Sequence, residues 1–491
     1  MAAHEDDWTG WGVARLGALL RDGKITAVEL TTRCLRRIEL IDPLVHAVLA
    51  LAPDALAQAA AADRRLSEGG AIGPLDGIPV LLKDNVDTAG LATTAGSRLL
   101  AGSPPERDAD IVVRLRRLGA VLLGKTNLSE WSNFRSADAV EGWSAVGGQT
   151  GNPYVLGHSP WGSSAGSAVA VAAGMVPLAI GTETDGSVVG PAGINGVVGV
   201  KPEPGLLPGR GIVPISAELD TVGLFTRTVG DAQLSMSALT GGRRPAGAPE
   251  SVAGKRFGLW QPVGSGPVAE VCAAVTNRLR ASGADVVPVD LEVPGEVALA
   301  GLVALHAEFR TAVEDYLRTR PDAPGSVAGL VEANRADPVE LGLFGQDLFE
   351  WVATMSADER DSAAAERVRV RSLARALWQD KLHRHEVDAL LAPTNEPAWP
   401  IEKGRGDRGR LSTSTLAALA GYPAISLPAG FAGPLPIGLS VFGPDRVDRL
   451  LPVAAAVERV CGDLRAPGFL TADALSAAEA APSTAERGVL T

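Results

Sequence analysis

The sequence predicts an α/β fold, in which helices pack on a β-sheet, and three features of the chain indicate it. The 491 residues are 46% hydrophobic and 21% charged, a composition typical of a globular protein that buries a large core. From Gly73 to about Lys201, short apolar runs alternate with glycine-rich turns and helical segments. A similar alternation returns beyond residue 250. Strands and helices that alternate in this way are typical of a sheet covered by helices.

The first 70 residues predict an N-terminal helical layer. Thr26 and Glu29 form a capping-box pattern in front of an amphipathic run over residues 27–41. Residues 55–66 are rich in alanine and predict a second helix. We expect this layer, residues 1–70, to pack on a core formed by residues 73–202.

Within that core, residues 78–82 form an apolar run of strand length that ends at Lys83. Asp108 is predicted to cap a helix whose apolar positions follow the 3.6-residue period, and Gly119 to end it. Two further strands are predicted over residues 120–123 and 178–180, with a helix between them over residues 167–174.

The part of the chain over residues 250–470 predicts more elements of the same kinds. Strands are expected at residues 257–260, 389–391, 424–427 and 437–441, and helices at residues 268–279, 302–317 and 364–382. Residues 394–410 are rich in proline, glycine and charge, which predicts a surface loop that borders a pocket. Residues 471–491 predict a loosely held tail. We expect all these parts, residues 1–491, to form a single domain.

Charge and hydropathy argue against partners that are large anions or membranes. The net charge is −12 and no run of basic residues occurs, so binding to nucleic acid is not expected. The acidic start lacks the layout of a secretory signal, and the most apolar stretch, residues 168–180, is too short to span a bilayer. We therefore expect a cytoplasmic protein, either a monomer or a homodimer.

Cysteine and histidine give no pattern of metal ligands. Cys34, Cys272 and Cys461 are scattered, so neither a disulfide framework nor a zinc site is predicted. His383 and His385 form the only close histidine pair, and their spacing on a helix would direct the rings to different faces. We expect no metal and no cofactor.

Two clusters of glycine and serine, residues 162–167 and 182–187, bracket one predicted helix and one predicted strand. Small residues allow backbone N–H groups to approach a ligand closely. The amides of Thr184, Asp185, Gly186 and Ser187 are therefore predicted to form an oxyanion hole, where one such donor is typically worth about 3 kcal/mol of the barrier.

The first cluster permits two interpretations. Residues 162–166 fit the Gly-x-Ser-x-Gly pattern, which would make Ser164 the nucleophile of a histidine-dependent α/β-hydrolase. The preceding residues predict a poor strand, because Pro160 cannot donate to a central ladder. Downstream histidines are available for that role, but no pattern favours any of them: His306, His383 and His385.

Lysine offers the other possible base, and the chain has seven lysines against 38 arginines. Lys83 would start at the carboxyl end of a buried strand, where α/β proteins place their sites. Burial can lower the pKa of a lysine by several units, which would turn its amine into a base near neutrality. The alternative is a structural lysine that is paired with a carboxylate such as that of adjacent Asp84.

Residues 75–202 resemble the amidase signature family. The shared features are Gly-Ile-Pro at residues 77–79 before Lys83, a Gly/Ser cluster containing Ser163, and a second serine, Ser187, 24 residues later. The likeness includes residues 123–131 and 197–202 and continues more weakly at residues 421–424 and 435–439. It implies a large mixed β-sheet core flanked by helices on both faces, an α/β/α sandwich.

The resemblance also implies catalytic roles for three residues. Ser187 would attack an amide carbonyl, Ser163 would relay its proton after a cis peptide bond, and neutral Lys83 would accept that proton and return it to the leaving amine. Ser164 then becomes a supporting neighbour in the substrate site.

Departures from the family pattern concern the substrate. Most members have Asp, Gly and Arg where this chain has Glu183, Asp185 and Val189, and without the arginine a substrate that carries a carboxylate there is less expected. This variant is most similar to the bacterial peptide amidases, which implies that C-terminal peptide amides or other neutral amides are hydrolysed to release ammonia. Trp131 and Gln149 are predicted to contact that substrate. The glutaminase subunit of a tRNA-dependent amidotransferase is the alternative within the family.

Overall fold

The computed structural model describes residues 10–242, 251–402, 404–407, 411–443, 446–462, 464–471 and 473–475. Its centre is a mixed sheet of 11 strands, which confirms the predicted fold class. The strands are β1 (Val48–Leu51), β2 (Pro79–Lys83), β3 (Val121–Thr126), β4 (Trp143–Ser144), β5 (Gly148–Gln149), β6 (Leu178–Glu183), β7 (Val198–Lys201), β8 (Thr221–Thr226), β9 (Arg256–Leu259), β10 (Asp285–Pro288), β11 (Ala389–Pro393), β12 (Ala424–Ala432) and β13 (Leu435–Phe442).

The order across the large sheet is β1-β3-β2-β6-β8-β7-β12-β13-β11-β9-β10, and β4 pairs with β5 in a separate ribbon. Parallel pairs join β2 to β3 and to β6, and they also join β9 to β10 and to β11. The other neighbours in the sheet are antiparallel. Because β2 and β6 are adjacent and parallel, the residues at their carboxyl ends meet at one edge of the sheet.

Helices surround this sheet. They are α1 (Val13–Arg21), α2 (Ala27–Val45), α3 (Ala55–Ser67), α4 (Asp110–Arg117), α5 (Ala165–Ala172), α6 (Val189–Ile194), α7 (Val229–Leu239), α8 (Pro267–Ala281), α9 (Gly295–Leu317), α10 (Val327–Ala336), α11 (Asp347–Thr354), α12 (Ala357–His385), α13 (Thr415–Ala420) and α14 (Val447–Cys461). None of the described helices combines the length and the apolar character needed to cross a bilayer.

The central strands are covered on both faces. Every residue of β2, β3, β6 and β8 is buried, and successive side chains of a strand point to opposite faces of the sheet. Helix α5 packs against these four strands. Burial on both faces explains why the sequence shows continuous apolar runs here rather than an alternation of polar and apolar residues.

The capping patterns have different outcomes. Thr26 and Glu29 form the predicted capping box at the start of α2, with N–H to side-chain oxygen distances of 2.8 and 3.0 Å. The prediction that Asp108 caps the next helix is wrong, because α4 begins at Asp110 and its N-cap is Ala109. The Asp108 carboxylate instead accepts the Ala89 N–H and pairs with Arg116, so a tertiary contact has replaced the local one.

Several boundaries extend beyond the apolar runs that predicted them. Strand β6 continues through Glu183, and helix α5 starts at Ala165, so both reach into the glycine- and serine-rich clusters. The segment predicted as a surface loop connects β11 to α13 where it is described. Residues 476–491 of the predicted tail lie outside the described residues. The proposed division of the chain into parts stays a prediction.

Candidate active site

Lys83 is the last residue of β2, and its side chain is fully buried at the carboxyl end of the strand. Its Nζ atom lies 2.7 Å from Ser163 Oγ and 2.9 Å from Thr182 Oγ1. Asn85 Nδ2 donates to the same threonine hydroxyl at 2.9 Å. The lysine and its predicted relay serine are therefore in contact, although 80 positions separate them in the chain.

Other lysines at strand ends are equally buried, but their partners differ. Lys125 Nζ lies 3.1 Å from the Asp84 carboxylate, and Lys201 Nζ donates to the Tyr422 carbonyl at 2.8 Å. The nearest partners of Lys83 are two hydroxyl groups, which can donate to a neutral amine as well as accept from an ammonium. The alternative that Asp84 pairs with Lys83 is wrong, because Asp84 pairs with Lys125.

Burial has a direct effect on the basicity of Lys83. Removal of the ammonium from water lowers the pKa of Lys83 to about 7. Three carboxyl groups limit this shift because they attract the ammonium form: those of Asp220, Glu141 and Glu183. A large fraction of the amine is therefore uncharged near neutrality, which is the state a general base requires.

We expect kcat/KM to fall as the pH drops below about 7, because Lys83 then gains a proton and stops accepting one. The measurement is a profile of kcat/KM from about pH 5 to pH 9 on an amide whose own groups do not titrate in that range. Circular dichroism at each pH checks that the protein stays folded. A profile that is flat between about pH 5 and pH 8 would contradict this expectation.

Ser163 lies immediately before α5, and the Gly162–Ser163 peptide bond is cis, as the resemblance implied. The carbonyl of Ser163 accepts a hydrogen bond from the Ser129 N–H at 3.0 Å. Ser163 itself is 1% exposed. Its hydroxyl is thus held at the Lys83 amine by the backbone on one side and by the edge of β6 on the other.

Ser187 follows β6 on the turn of residues 184–187, and it is half-buried. Gly186 in this turn has φ = +80°, a conformation that favours glycine. The Ser187 carbonyl accepts the Ser164 N–H at 3.3 Å, which brings this turn against the segment that carries Ser163. No hydrogen bond joins the hydroxyls of Ser163 and Ser187 in the described part of the chain. The proton transfer between them therefore requires the Ser187 side chain to turn towards Ser163.

The backbone of the same turn offers unpaired donors. Among the described residues, the N–H groups of Asp185, Gly186 and Ser187 have no hydrogen-bond acceptor. The Glu183 carboxylate fixes the end of the turn, since it accepts the next two N–H groups at 2.7 and 2.9 Å: those of Val188 and Val189. Free amides on a fixed turn can bind an oxyanion, so the predicted oxyanion hole over Thr184–Ser187 stays compatible with this geometry.

The three predicted substrate contacts occupy different places. Trp131 is 2% exposed and packs edge-on against Phe349. Gln149 Nε2 donates to the Glu141 carbonyl at 2.8 Å. Ser164 Oγ is bonded to both the carbonyl and the N–H of Thr182. Their role in substrate binding stays a prediction, and the present contacts of all three are internal.

A cavity of about 790 Å³ adjoins the site. Thr182, Thr184 and Asp220 form its inner wall, where the Thr184 hydroxyl donates to Asp220 at 2.6 Å. Much of the remaining wall is apolar and comes from residues 207–222 and from α9: Leu207, Ile212, Val213, Ile215, Val222 and Ala312. Charged side chains line its other parts: Glu106, Arg107, Arg210 and Asp315. This volume lies in the range of ligand pockets.

Sequence reasoning missed Thr182, Asp220 and Glu141 as neighbours of Lys83. Thr182 and Thr184 alternate along β6 and therefore share a face, so the extended strand would have indicated Thr182. Asp220 and Glu141 lie on other segments, and no local pattern places them here. Within the described residues, no three His, Cys, Asp or Glu side chains gather where they could hold a metal ion.

Three comparisons with known proteins bear on this geometry. The family model described as Amidase matches residues 29–451. A probable amidase of Arabidopsis thaliana is 35% identical over 481 residues, which span 91% of this chain and 89% of that protein. A glutamyl-tRNA(Gln) amidotransferase subunit of Salinispora arenicola is 35% identical over 514 residues, which span 94% of this chain and 100% of that protein.

Solved structures agree with these relatives. The native peptide amidase of Stenotrophomonas maltophilia superimposes with a TM-score of 0.86 at 42% identity, covering 94% of this chain and 99% of that one. The peptide amidase PAM in complex with the competitive inhibitor chymostatin gives a TM-score of 0.87 at 42% identity, covering 94% and 100%.

Proposed function

Because this chain belongs to the amidase signature family, whose members hydrolyse amides, we propose that it cleaves carboxamides with Lys83, Ser163 and Ser187 and releases ammonia. The observation that carries this proposal is the 2.7 Å contact between the buried Lys83 amine and the Ser163 hydroxyl. An uncharged amine at that distance can accept a proton from the serine.

In the acylation step, Ser187 Oγ attacks the carbonyl carbon of the amide. Its proton passes to Ser163 Oγ, while the proton of Ser163 passes to Lys83 Nζ. The carbonyl oxygen becomes an oxyanion that accepts hydrogen bonds from the free amides of residues 185–187. The C–N bond then breaks as the Lys83 ammonium returns its proton through Ser163 to the leaving nitrogen, and ammonia departs.

In the deacylation step, water takes the place of ammonia. Its oxygen attacks the ester carbonyl on Ser187, and its proton passes through Ser163 to Lys83. Collapse of the second tetrahedral intermediate breaks the bond to Ser187 Oγ, which regains a proton from the same relay. The products are a carboxylic acid and the free enzyme, so every proton that Lys83 accepts is returned within one cycle.

We propose C-terminal peptide amides or similar neutral amides as substrates. The 42% identity to peptide amidase structures supports this class. Val189, which stands where most family members have arginine, is 2% exposed and packs in an apolar cluster. A cation for a substrate carboxylate is thus absent from this position. The apolar wall of the cavity suits an uncharged acyl part that lies next to the amide.

A glutaminase role is the second candidate, because the amidotransferase subunit of Salinispora arenicola matches along its whole length. Glutamine carries both an ammonium and a carboxylate beside its amide, and the position of Val189 offers that carboxylate no cation. We therefore rank glutamine below peptide amides. This ranking predicts no partner that binds tRNA.

Ammonia release from a matched panel tests the substrate class. We expect peptide amides to be hydrolysed with the highest kcat/KM, aryl amides more slowly, and free glutamine least. The same peptides with a free C-terminal acid serve as blanks, and the Ser187→Ala protein measures background. Turnover of glutamine alone would show that the peptide-amide assignment is wrong.

A further inference from the structure

A carboxyl group that the mechanism above does not use is buried beside the relay serine. Glu141 is 8% exposed, and its Oε2 atom accepts a hydrogen bond from the Ser129 hydroxyl at 2.7 Å. Its Oε1 atom accepts from Asn133 Nδ2 at 3.1 Å. A carboxyl group buried at such a position costs free energy unless its charge or its hydrogen bonds serve the structure or the reaction.

Ser129 connects this carboxyl group to the catalytic backbone. Its N–H donates to the Ser163 carbonyl at 3.0 Å, while its hydroxyl donates to Glu141 and accepts the Gly142 N–H at 2.9 Å. Gly162 packs directly on the same pair, since a Cβ atom there would lie 2.2 Å from Ser129 Oγ and 2.3 Å from Glu141 Oε2. The segment that presents the Ser163 hydroxyl therefore rests on Ser129 and Glu141.

We propose that Glu141 is a positioning residue of the amidase reaction, which acts in two ways. Through Ser129 it holds the Gly162–Ser163 segment against the Lys83 amine. Its negative charge also stabilises the ammonium that Lys83 becomes when it accepts the proton of Ser163. The inference rests on the proposed function, because only a reaction that protonates Lys83 makes use of the charge.

The charges around the two groups fit this role. The carboxyl groups of Asp220, Glu141 and Glu183 face Lys83, while the carboxyl group of Asp407 and the amine of Lys83 face Glu141. Burial raises the pKa of Glu141 to about 7, close to the pKa of Lys83. The two groups therefore titrate as a coupled pair, in which protonation of Lys83 favours ionisation of Glu141.

Glu141→Gln separates the charge from the hydrogen bond, because the amide oxygen still accepts from Ser129. We expect the acid limb of kcat/KM to move down by about one pH unit, since a nearby carboxylate raises the pKa of an amine by that order. A base weakened by one unit loses less than about tenfold in rate above its pKa, so the plateau should fall by less than that. KM should change little.

Ser129→Ala separates the hydrogen bond from the charge. We expect this variant to lose rate without moving the acid limb, because Glu141 still faces Lys83. Glu141→Asp keeps the charge on a shorter side chain and should keep the acid limb of the parent while its rate falls. Glu458→Gln is the matched control, since it removes another buried carboxyl group whose pKa is raised to about 7. Glu458 accepts the Val229 N–H at the start of α7, and we expect its variant to show the parent profile.

The outcomes distinguish this inference from the proposed function. An active parent whose acid limb stays in place in Glu141→Gln would overturn the role of the charge. Unchanged kinetics in Ser129→Ala would overturn the role of the link. If Glu141→Gln does not fold, an acid limb that moves in Glu141→Asp as far as one pH unit would equally contradict the proposal. A parent that releases no ammonia from any amide would instead overturn the proposed function.

Discussion

Replacement of Ser187 by alanine is expected to lower kcat by about 10⁴-fold or more, because no other group would form the acyl-enzyme. Residual activity would come from substrate binding and from the free amides of residues 185–187. The measurement is ammonia release from a peptide amide under single-turnover conditions, with circular dichroism to confirm the fold. Since Ser187 is half-buried and its hydroxyl makes no hydrogen bond within the described residues, the substitution should leave the stability almost unchanged.

Ser164→Ala is the comparison that makes this result specific. The Ser164 hydroxyl is bonded to the backbone of Thr182, so its loss should weaken the site without removing the nucleophile. We expect a decrease far smaller than that of Ser187→Ala. The opposite order, with Ser164 essential and Ser187 dispensable, would favour the histidine-dependent hydrolase instead.

Replacement of Lys83 by alanine is expected to abolish acylation while the fold is retained. The variant lacks the acceptor for the Ser163 proton, and a general base of this kind typically contributes about 10²- to 10⁴-fold. Lys83→Met is a useful second variant, because methionine fills much of the buried space without supplying an amine. The measurement is the rate of the first turnover by rapid quenching, together with the thermal unfolding temperature of each variant.

The Lys83 experiment also has a control within the chain. Lys125 is equally buried but pairs with Asp84, so Lys125→Met should reduce stability without removing the base. Equal rates of acylation in the parent and in both Lys83 variants would contradict the role assigned to this amine.

The sequence alone predicted the parts of the fold that depend on local patterns. The apolar run before Lys83 indicated a buried strand, and Thr26 with Glu29 indicated the start of α2, because periodicity and capping act over a few residues. The pairing of Lys83 with Ser163 depended on the resemblance to a family. It arises because β2 and β6 are adjacent in the sheet, and no local pattern determines which strands are neighbours.

Contacts between distant segments escaped prediction for the same reason. Asp108 looked like a helix cap, but it bonds to Ala89 and Arg116 instead. Glu141 and Asp220 approach Lys83 from segments whose sequences give no sign of it. The direction of a side chain such as that of Ser187 depends on packing around a turn, which the pattern of small residues does not determine.

The most direct test is to trap the acyl-enzyme and locate it. The parent protein and Lys83→Ala are mixed with a peptide amide, quenched in acid within the first turnover, digested and mapped by mass spectrometry. We predict an acyl group on Ser187 in the parent and no acyl group in the Lys83 variant. An acyl group on Ser163 or Ser164, or equal acylation of Ser187 without Lys83, would contradict the proposed relay from Ser187 through Ser163 to a buried amine.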